Sequence, residues 1–162
     1  MAAVDYFLKI DGIEGESPDA KHKNEIHLDS FSWGESNAGT MAHGGGGGAG
    51  KVSMQDLHFT TMLGKQGPKL ALACADGSHI KKAMLTARKA GKEQQEYYVV
   101  TMTDLLVTSY QLGGHGGGDT GITENVSMNF AKIEWEYKEQ KIDGSLGGAV
   151  KAGYDLKLNK KV

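Results

Sequence analysis

Residues 31–63 read FSWGESNAGTMAHGGGGGAGKVSMQDLHFTTML, and the reading of this stretch decides the fold. Two aromatic residues, Phe31 and Trp33, lead into a polar segment that reaches five consecutive glycines, Gly44 to Gly48, and an alternating run from Lys51 to Phe59 leaves it. One alternative is a phosphate loop. That motif, G-x-x-x-x-G-K-[ST], wraps phosphates in backbone N–H groups, neutralises them with Lys and holds magnesium through the hydroxyl. Gly45, Gly50 and Lys51 fit, but Val52 stands where the hydroxyl is required. A phosphate loop also opens a helix whose N-terminus faces the anion, whereas VSMQDLHF alternates apolar and polar residues with the period of a strand. The stretch therefore reads as two strands joined by a long glycine loop, with no nucleotide bound.

Loops of more than about 12 residues inside a compact domain are usually functional or disordered, and this one is read as functional. Five successive glycines lose more backbone entropy on ordering than other residues would, and they bring no side chains to pack. Contacts from outside the monomer must offset that loss. Gly44, Gly45, Gly46, Gly47 and Gly48 permit close approach to a partner, while Thr40, Met41 and His43 before them and Lys51 after them supply side chains. These residues are the expected interface loop.

Working outward, Val4 to Ile10 alternates, with Val4, Tyr6, Leu8 and Ile10 on one face. Glu25 to Gly34 is the next strand, and its apolar parity slips at Asp29–Ser30, from Ile26 and Leu28 to Phe31 and Trp33. The strand after the glycines slips too, from Val52 and Met54 to Leu57 and Phe59. A slip reverses the face of every later side chain unless a residue bulges out, so these strands are expected to bend at corners or sheet crossings. Gly67 to Gly77 is the only convincing helix, with Pro68 suited to its first position and Gly77 to its C-terminal cap. Strands follow at Lys81–Lys89, Gln95–Thr103 and Leu105–Leu112, with a hairpin turn around Gly91 and a bend at Asp104. The longest, Ile122–Lys138, slips between Phe130 and Ile133, and the last runs from Val150 to Leu158. Trp33 and Trp135 are expected in the core. Many short strands, one helix and glycine-rich turns indicate a single all-β domain over residues 1–162, barrel or sandwich, with the helix on its flank.

Composition narrows the function. A net charge of −2 carries no electrostatic footprint for nucleic acid. Glycine, at 24 of 162 residues, is about twice its usual ~7%, yet 39% of the residues are hydrophobic and a packed core is expected. The N-terminal MAAVDYFLKID is interrupted by Asp5 and Lys9 and lacks the apolar run of a signal peptide. No run reaches the ~18 apolar residues of a membrane helix. The six histidines are scattered without metal-ligand spacing, and no G-x-S-x-G elbow occurs. Cys74 reads as a small buried hydrophobe, Glu134 and Glu136 as a solvated strand face, and Lys157, Lys160 and Lys161 as a solvated tail. No catalytic residue, cofactor or metal is expected. Pro18 and Pro68 both fall outside the strands; proline is one device that blunts exposed sheet edges, so edge pairing between subunits stays open.

VDYFLKIDGIEGES, FSWGES, MAHGGGGGAGKVSMQDLHFT, LACADG, ARKAG and TENVSMNFAKIEWEY, in that order, closely resemble the haemolysin-coregulated protein (Hcp) family, the tube proteins of bacterial type VI secretion. The resemblance covers nearly the whole chain. It implies a β-barrel-like fold of two sheets with one short flanking helix and a long glycine-rich loop. It implies a homo-hexameric ring, rings stacked into an inner tube, spike and sheath proteins as partners, and small effector proteins held in the lumen. The protein would be made in the bacterial cytoplasm and secreted by the type VI system, with no nucleic acid bound and no membrane insertion. The Gly44–Gly50 loop is similar to the family's protruding loop, and Ser32, opposite in parity to Phe31 and Trp33, becomes the lumen-facing candidate. A monomeric β-sandwich that binds a sugar or peptide is the alternative from a different class, and a hydrolase with an unrecognised site a third.

Overall fold

The parity slip at Asp29 is a corner at which the chain leaves one ladder for another. In the computed structural model, which describes residues 4–39, 49–89, 94–118 and 121–162, β1 (Val4–Ile10) pairs with β2 (Ile26–Leu28), and past Asp29 the chain continues as β3 (Ser30–Ser32). β3 pairs instead with β6 (Leu57–Met62), Phe31 opposite Phe59. The second slip is a corner too. The expected single strand from Lys51 to Phe59 is two, β5 (Ala49–Met54) and β6, separated at Gln55–Asp56 and belonging to different sheets. β5 pairs with β4 (Glu35–Gly39) in a two-stranded arm.

The other sheet has nine strands. β7 (Ile80–Lys89) lies between β1 and β8 (Gln95–Gly113), and β9 (Thr123–Gln140) follows β8. One edge of β9 serves two partners in succession: β6 along Thr123–Met128, then β10 (Leu146–Asp155) along Lys132–Gln140. β11 (Lys160–Lys161) pairs with the end of β10, so two of the lysines expected in a free tail are held in a short exposed strand. Pairing runs β2-β1-β7-β8-β9-β6-β3, and the return from β3 to β2 is the covalent bend at Asp29 rather than a ladder. The sheet is curled like a barrel without closing as one. The hairpin turn expected at Gly91 lies outside the described residues.

Two expected boundaries move. Gln95–Thr103 and Leu105–Leu112 form one strand, β8, because Asp104 takes a left-handed φ of 54° inside the ladder. Opposite it β9 changes parity at the same level, from Phe130 to Ile133, and the register from Met102↔Ile133 to Leu105↔Phe130 is unbroken. Both strands coil together, keeping Met102, Leu105, Phe130 and Ile133 inside. The last long strand ends at Asp155, so Leu158 lies beyond it and is exposed.

Inside the curl, Leu8, Ile26, Leu57, Phe59, Met102 and Met128 are almost fully buried; each such side chain contributes roughly 1.5–3 kcal/mol. α1 (Gln66–Asp76) covers the sheet through Leu70 and Ala73, with Cys74 half-buried against the core. The helix begins at Gln66, one residue before the predicted start, so Pro68 is its third residue; Gly77 caps it at φ 68°. Gly67 permits a close approach: a Cβ there would lie 2.6 Å from Leu63 Cδ1, displacing that side chain, and 3.1 Å from Glu124 Oε2. Glu124, fully buried on β9, accepts hydrogen bonds from Gln66 Nε2 and the Tyr110 hydroxyl, which fastens the helix to the sheet. Burial and that bond push the Tyr110 phenol well above its usual range.

The other side of β1 and β7 is covered by the connector Asp11–Glu25. Arg88 of β7, 2% exposed, donates to both carboxylate oxygens of Asp19 at 2.9 and 2.7 Å and to Asp5 at 3.3 Å. Its guanidinium also lies 4.7 Å from the centre of the Phe7 ring. The Arg88 hydrogen bond holds the Asp19 carboxyl well below the usual carboxylate range, assisted by the backbone N–H groups of Lys21 and His22. His22 stacks on Phe7 with ring centres 4.4 Å apart and meets Glu25 and Glu96 at 2.9 and 2.6 Å.

Candidate assembly surfaces

The arm is short and exposed along its whole first strand. Glu35 pairs with Met54 and Asn37 with Val52, then the register shifts before Gly39 meets Ala49. Of the expected interface loop, Lys51 is described, exposed on β5. Thr40, Met41, His43 and Gly44 to Gly48 lie outside the described residues. At the base of the arm the Gln55 N–H bonds Gly34 O at 2.9 Å, and Trp33 and Trp135 pack with ring centres 5.5 Å apart, tilted by 46°. Both indoles are half-buried at the margin of the core rather than within it, because the arm projects beyond the curled sheet. Their Nε1 atoms are buried and find no acceptor among the described residues. Beside them a cleft of about 540 Å³ separates Lys51, Val52 and Met54 of the arm from Trp135, Gly153 and Tyr154.

Ser32 lies on a polar row that crosses three strands. It pairs with His58, which pairs with Ser127, and His58 Nδ1 and Ser127 Oγ are 2.9 Å apart. The neighbouring row is Ser30, Thr60 and Asn125, with Ser30 Oγ 2.6 Å from Thr60 Oγ1. Between the two rows run Phe31, Phe59 and Val126; Phe59 and Val126, with Leu57 and Met128 on the far side of the first row, are buried on the opposite face, while Phe31 is exposed at the edge. Alternation thus sends the hydroxyls outward and the apolar groups inward. The result is a hydroxyl- and amide-rich face with no carboxylate or ammonium in either row. Ser32 and Lys51 are not brought together; one lies on the curled sheet, the other on the arm.

Two further features escaped the sequence reading. From Leu146 to Ala152 no strand pairs with the outer edge of β10 among the described residues, and Val150 there is strongly exposed. At the start of β9, the exposed side chains of Met62, Leu63, Leu112 and Ile122 gather where β6 and β8 end and β9 begins. The signal for the second was present: each of these apolar residues sits at the border of a glycine loop or the helix entry, where alternation demands nothing of it. On the outer face of β9, Glu134 and Glu136 are partly exposed beside Lys132, Lys138 and Lys151 at 3.5–3.8 Å, a solvated charge ladder. Among the described residues no three His, Cys, Asp or Glu side chains cluster as a metal site would require, and no helix is long and apolar enough to cross a membrane.

Comparison with known proteins gives one consistent likeness. The family described as "Type VI secretion system effector, Hcp" matches residues 7–137. Protein hcp1 of Pseudomonas aeruginosa is 49% identical over 159 residues, covering 97% of this chain and 98% of its own. The crystal structure of Hcp1 from Salmonella typhimurium superposes with a TM-score of 0.82 at 38% identity, covering 99% of this chain and 100% of that one. The structure of a type six secretion system protein superposes with a TM-score of 0.94 at 31% identity, with 99% of this chain and 100% of that one covered.

Proposed function

The chain belongs to the Hcp family of type VI secretion proteins, and from that premise we propose that it is the ring-forming subunit of a type VI inner tube. Six copies close head to tail, rings stack into a tube, the tube meets spike and sheath proteins, and the protein leaves the cell with it. Small effector proteins ride in the ring lumen. The observation that carries this reading is near full-length identity of 49% to Protein hcp1 of Pseudomonas aeruginosa. The surfaces agree with it. Head-to-tail closure needs two different unsatisfied patches on each copy, and the open edge of β10 is a ready template for a strand from outside. The face that carries Ser32 offers neutral hydrogen-bonding groups, suited to holding varied folded cargo without one charge pattern. The role is structural rather than catalytic.

Sedimentation and negative-stain imaging of the purified protein test the proposal. Annular particles of six copies with an open centre are the expected result. A monomer at every concentration would overturn it and favour the monomeric binding module.

A further inference from the structure

One buried titratable side chain faces more acceptors than a neutral ring can serve. His22, near the end of the connector, is buried, and both of its ring nitrogens meet carboxylates. Nδ1 lies 2.9 Å from Glu25 Oε2, and Nε2 lies 2.6 Å from Glu96 Oε1. A neutral imidazole carries one N–H and one lone pair, so it donates to one carboxylate and turns its lone pair on the other. Two N–H donors satisfy both. The closed arrangement therefore holds one proton more than a neutral ring between two carboxylates.

The ring has little freedom to avoid this. It stacks on Phe7 of β1 with 5° between the planes, and its own backbone N–H is held by Asp19 Oδ1 at 3.2 Å. Charged and titratable groups approach from every neighbouring element. They are Asp19, Lys21 and Glu25 on the connector, Asp5 on β1, His27 on β2, Arg88 on β7, Glu96 on β8 and Lys138 on β9. Arg88 is committed to Asp19 and Asp5, and His27 meets Asp5 at 3.4 Å. Among the described residues no lysine lies within ion-pair distance of Glu25 or Glu96, so His22 is the group that meets both. The Glu25 side chain is 12% exposed and that of Glu96 39%. Glu96 is the partner with a way out to water.

We propose that Glu25–His22–Glu96 is a proton-operated clasp between the connector and β8. With two protons on the ring the clasp is shut and the connector's end is tied to the start of β8. When the ring gives one proton to solvent, Nε2 and the Glu96 carboxylate oppose lone pairs and Glu96 turns out. The two segments then part along the cleft that Lys21, Gln95, Glu96 and Lys138 line. Because the shut form holds the extra proton, linkage makes the clasp strongest in acid and weaker as pH rises. That sign is opposite to the one for Asp19, whose hold on Arg88 weakens in acid. The connector is gripped by two contacts of opposite pH dependence, and the clasp needs no second copy of the chain.

The test uses the full chain labelled with 15N at histidine. Imidazole 15N spectra separate a ring with two N–H groups from either neutral tautomer, and the His22 signals are assigned through its backbone. Both ring nitrogens are expected to carry protons at about pH 6. Hydrogen exchange of residues 20–25 and 95–97, corrected for the intrinsic rate, is expected to lose about tenfold or more in protection between about pH 6 and pH 9. Glu96→Gln isolates the clasp from other titrations. Its amide accepts from an N–H or donates to a bare nitrogen, so it bonds His22 in either state, and its protection is expected to change less than about twofold. A single N–H on His22 at about pH 6, constant protection in the parent, or a Glu96→Gln chain with the parent's full pH dependence would each overturn the clasp. Should Glu96→Gln fail to fold, the parent's ring spectra and exchange decide alone.

Discussion

Two long excursions leave the curled sheet, and they are held in opposite ways. The connector Asp11–Glu25 folds back over β1 and β7 and is pinned by buried charge: Arg88 grips Asp19 and Asp5, and His22 fits between Phe7, Glu25 and Glu96. The arm of β4 and β5 projects instead. Its first strand is exposed throughout, and two indole N–H groups at its base lack acceptors among the described residues. The connector is tied to the sheet by side-chain hydrogen bonds from Arg88 and His22, although Arg88 Nε itself is buried without an acceptor among the described residues; the arm meets the curled sheet chiefly at its base. The difference separates a segment tied into the monomer fold from one that is free to serve the proposed assembly.

The largest expected effect breaks the first of these. Arg88→Met leaves Asp19 and Asp5 without their cation beneath the connector. Removing one partner of a buried pair costs about 3–5 kcal/mol, so the urea midpoint falls steeply and the connector's amides exchange faster. An unchanged midpoint would show that the connector is held by packing alone. Trp135→Ala acts at the base of the arm. Full burial would put its cost at ~3–5 kcal/mol; half-burial places it near the low end, at about 3 kcal/mol, with the arm's cleft opened.

Acid sharpens the contrast. Asp19 is depressed from its ordinary 3.8 in the folded chain. Its stabilisation is therefore full above that value and is lost as pH falls below about 4 toward the folded pKa. The parent's urea midpoint is expected to drop faster than that of Asp19→Asn as pH falls from about 4 to about 2, while arm variants follow the parent. Parallel curves for parent and Asp19→Asn would remove Asp19 from the account. The smallest effect on the monomer comes from cutting Gly44–Gly48 to two glycines. Loop length costs only about 0.6 kcal/mol per doubling, so the midpoint stays nearly constant, whereas ring stacking and secretion fall. A destabilised monomer whose rings stack normally would place the loop in the core.

Much of this architecture was legible. Parity slips at Asp29 and between Met54 and Leu57 marked the two corners, because a buried face cannot change sides without a bend. Asp104 misled for the same reason in reverse: β8 and β9 change face together, so a slip that reads as a break leaves the ladder whole. Trp33 is expected in the core from its parity, shared with Phe31, but alternation does not reveal where a sheet stops covering its own strands; Trp33 is half-buried and Phe31 exposed at that margin. Glu124 could have been found, since it shares parity with Val126, Met128 and Phe130, where a lone carboxylate needs partners. Arg88 could not: both faces of β7 are covered there, the outer one by a connector that comes from sixty residues or more upstream. Ser32 was placed by alternation, yet its neighbours His58 and Ser127 come from other strands and no spacing announces them.

The most direct measurement is amide hydrogen exchange of residues 35–54 and 12–24, followed in unstacked rings and again in stacks. The connector is expected to be protected equally in both, and the arm to exchange freely in rings and slow at least tenfold in stacks, a gain of about 1.4 kcal/mol or more. An arm as protected as the connector before any stacking, or one that stays unprotected within stacks, would contradict the assignment of the arm to the assembly.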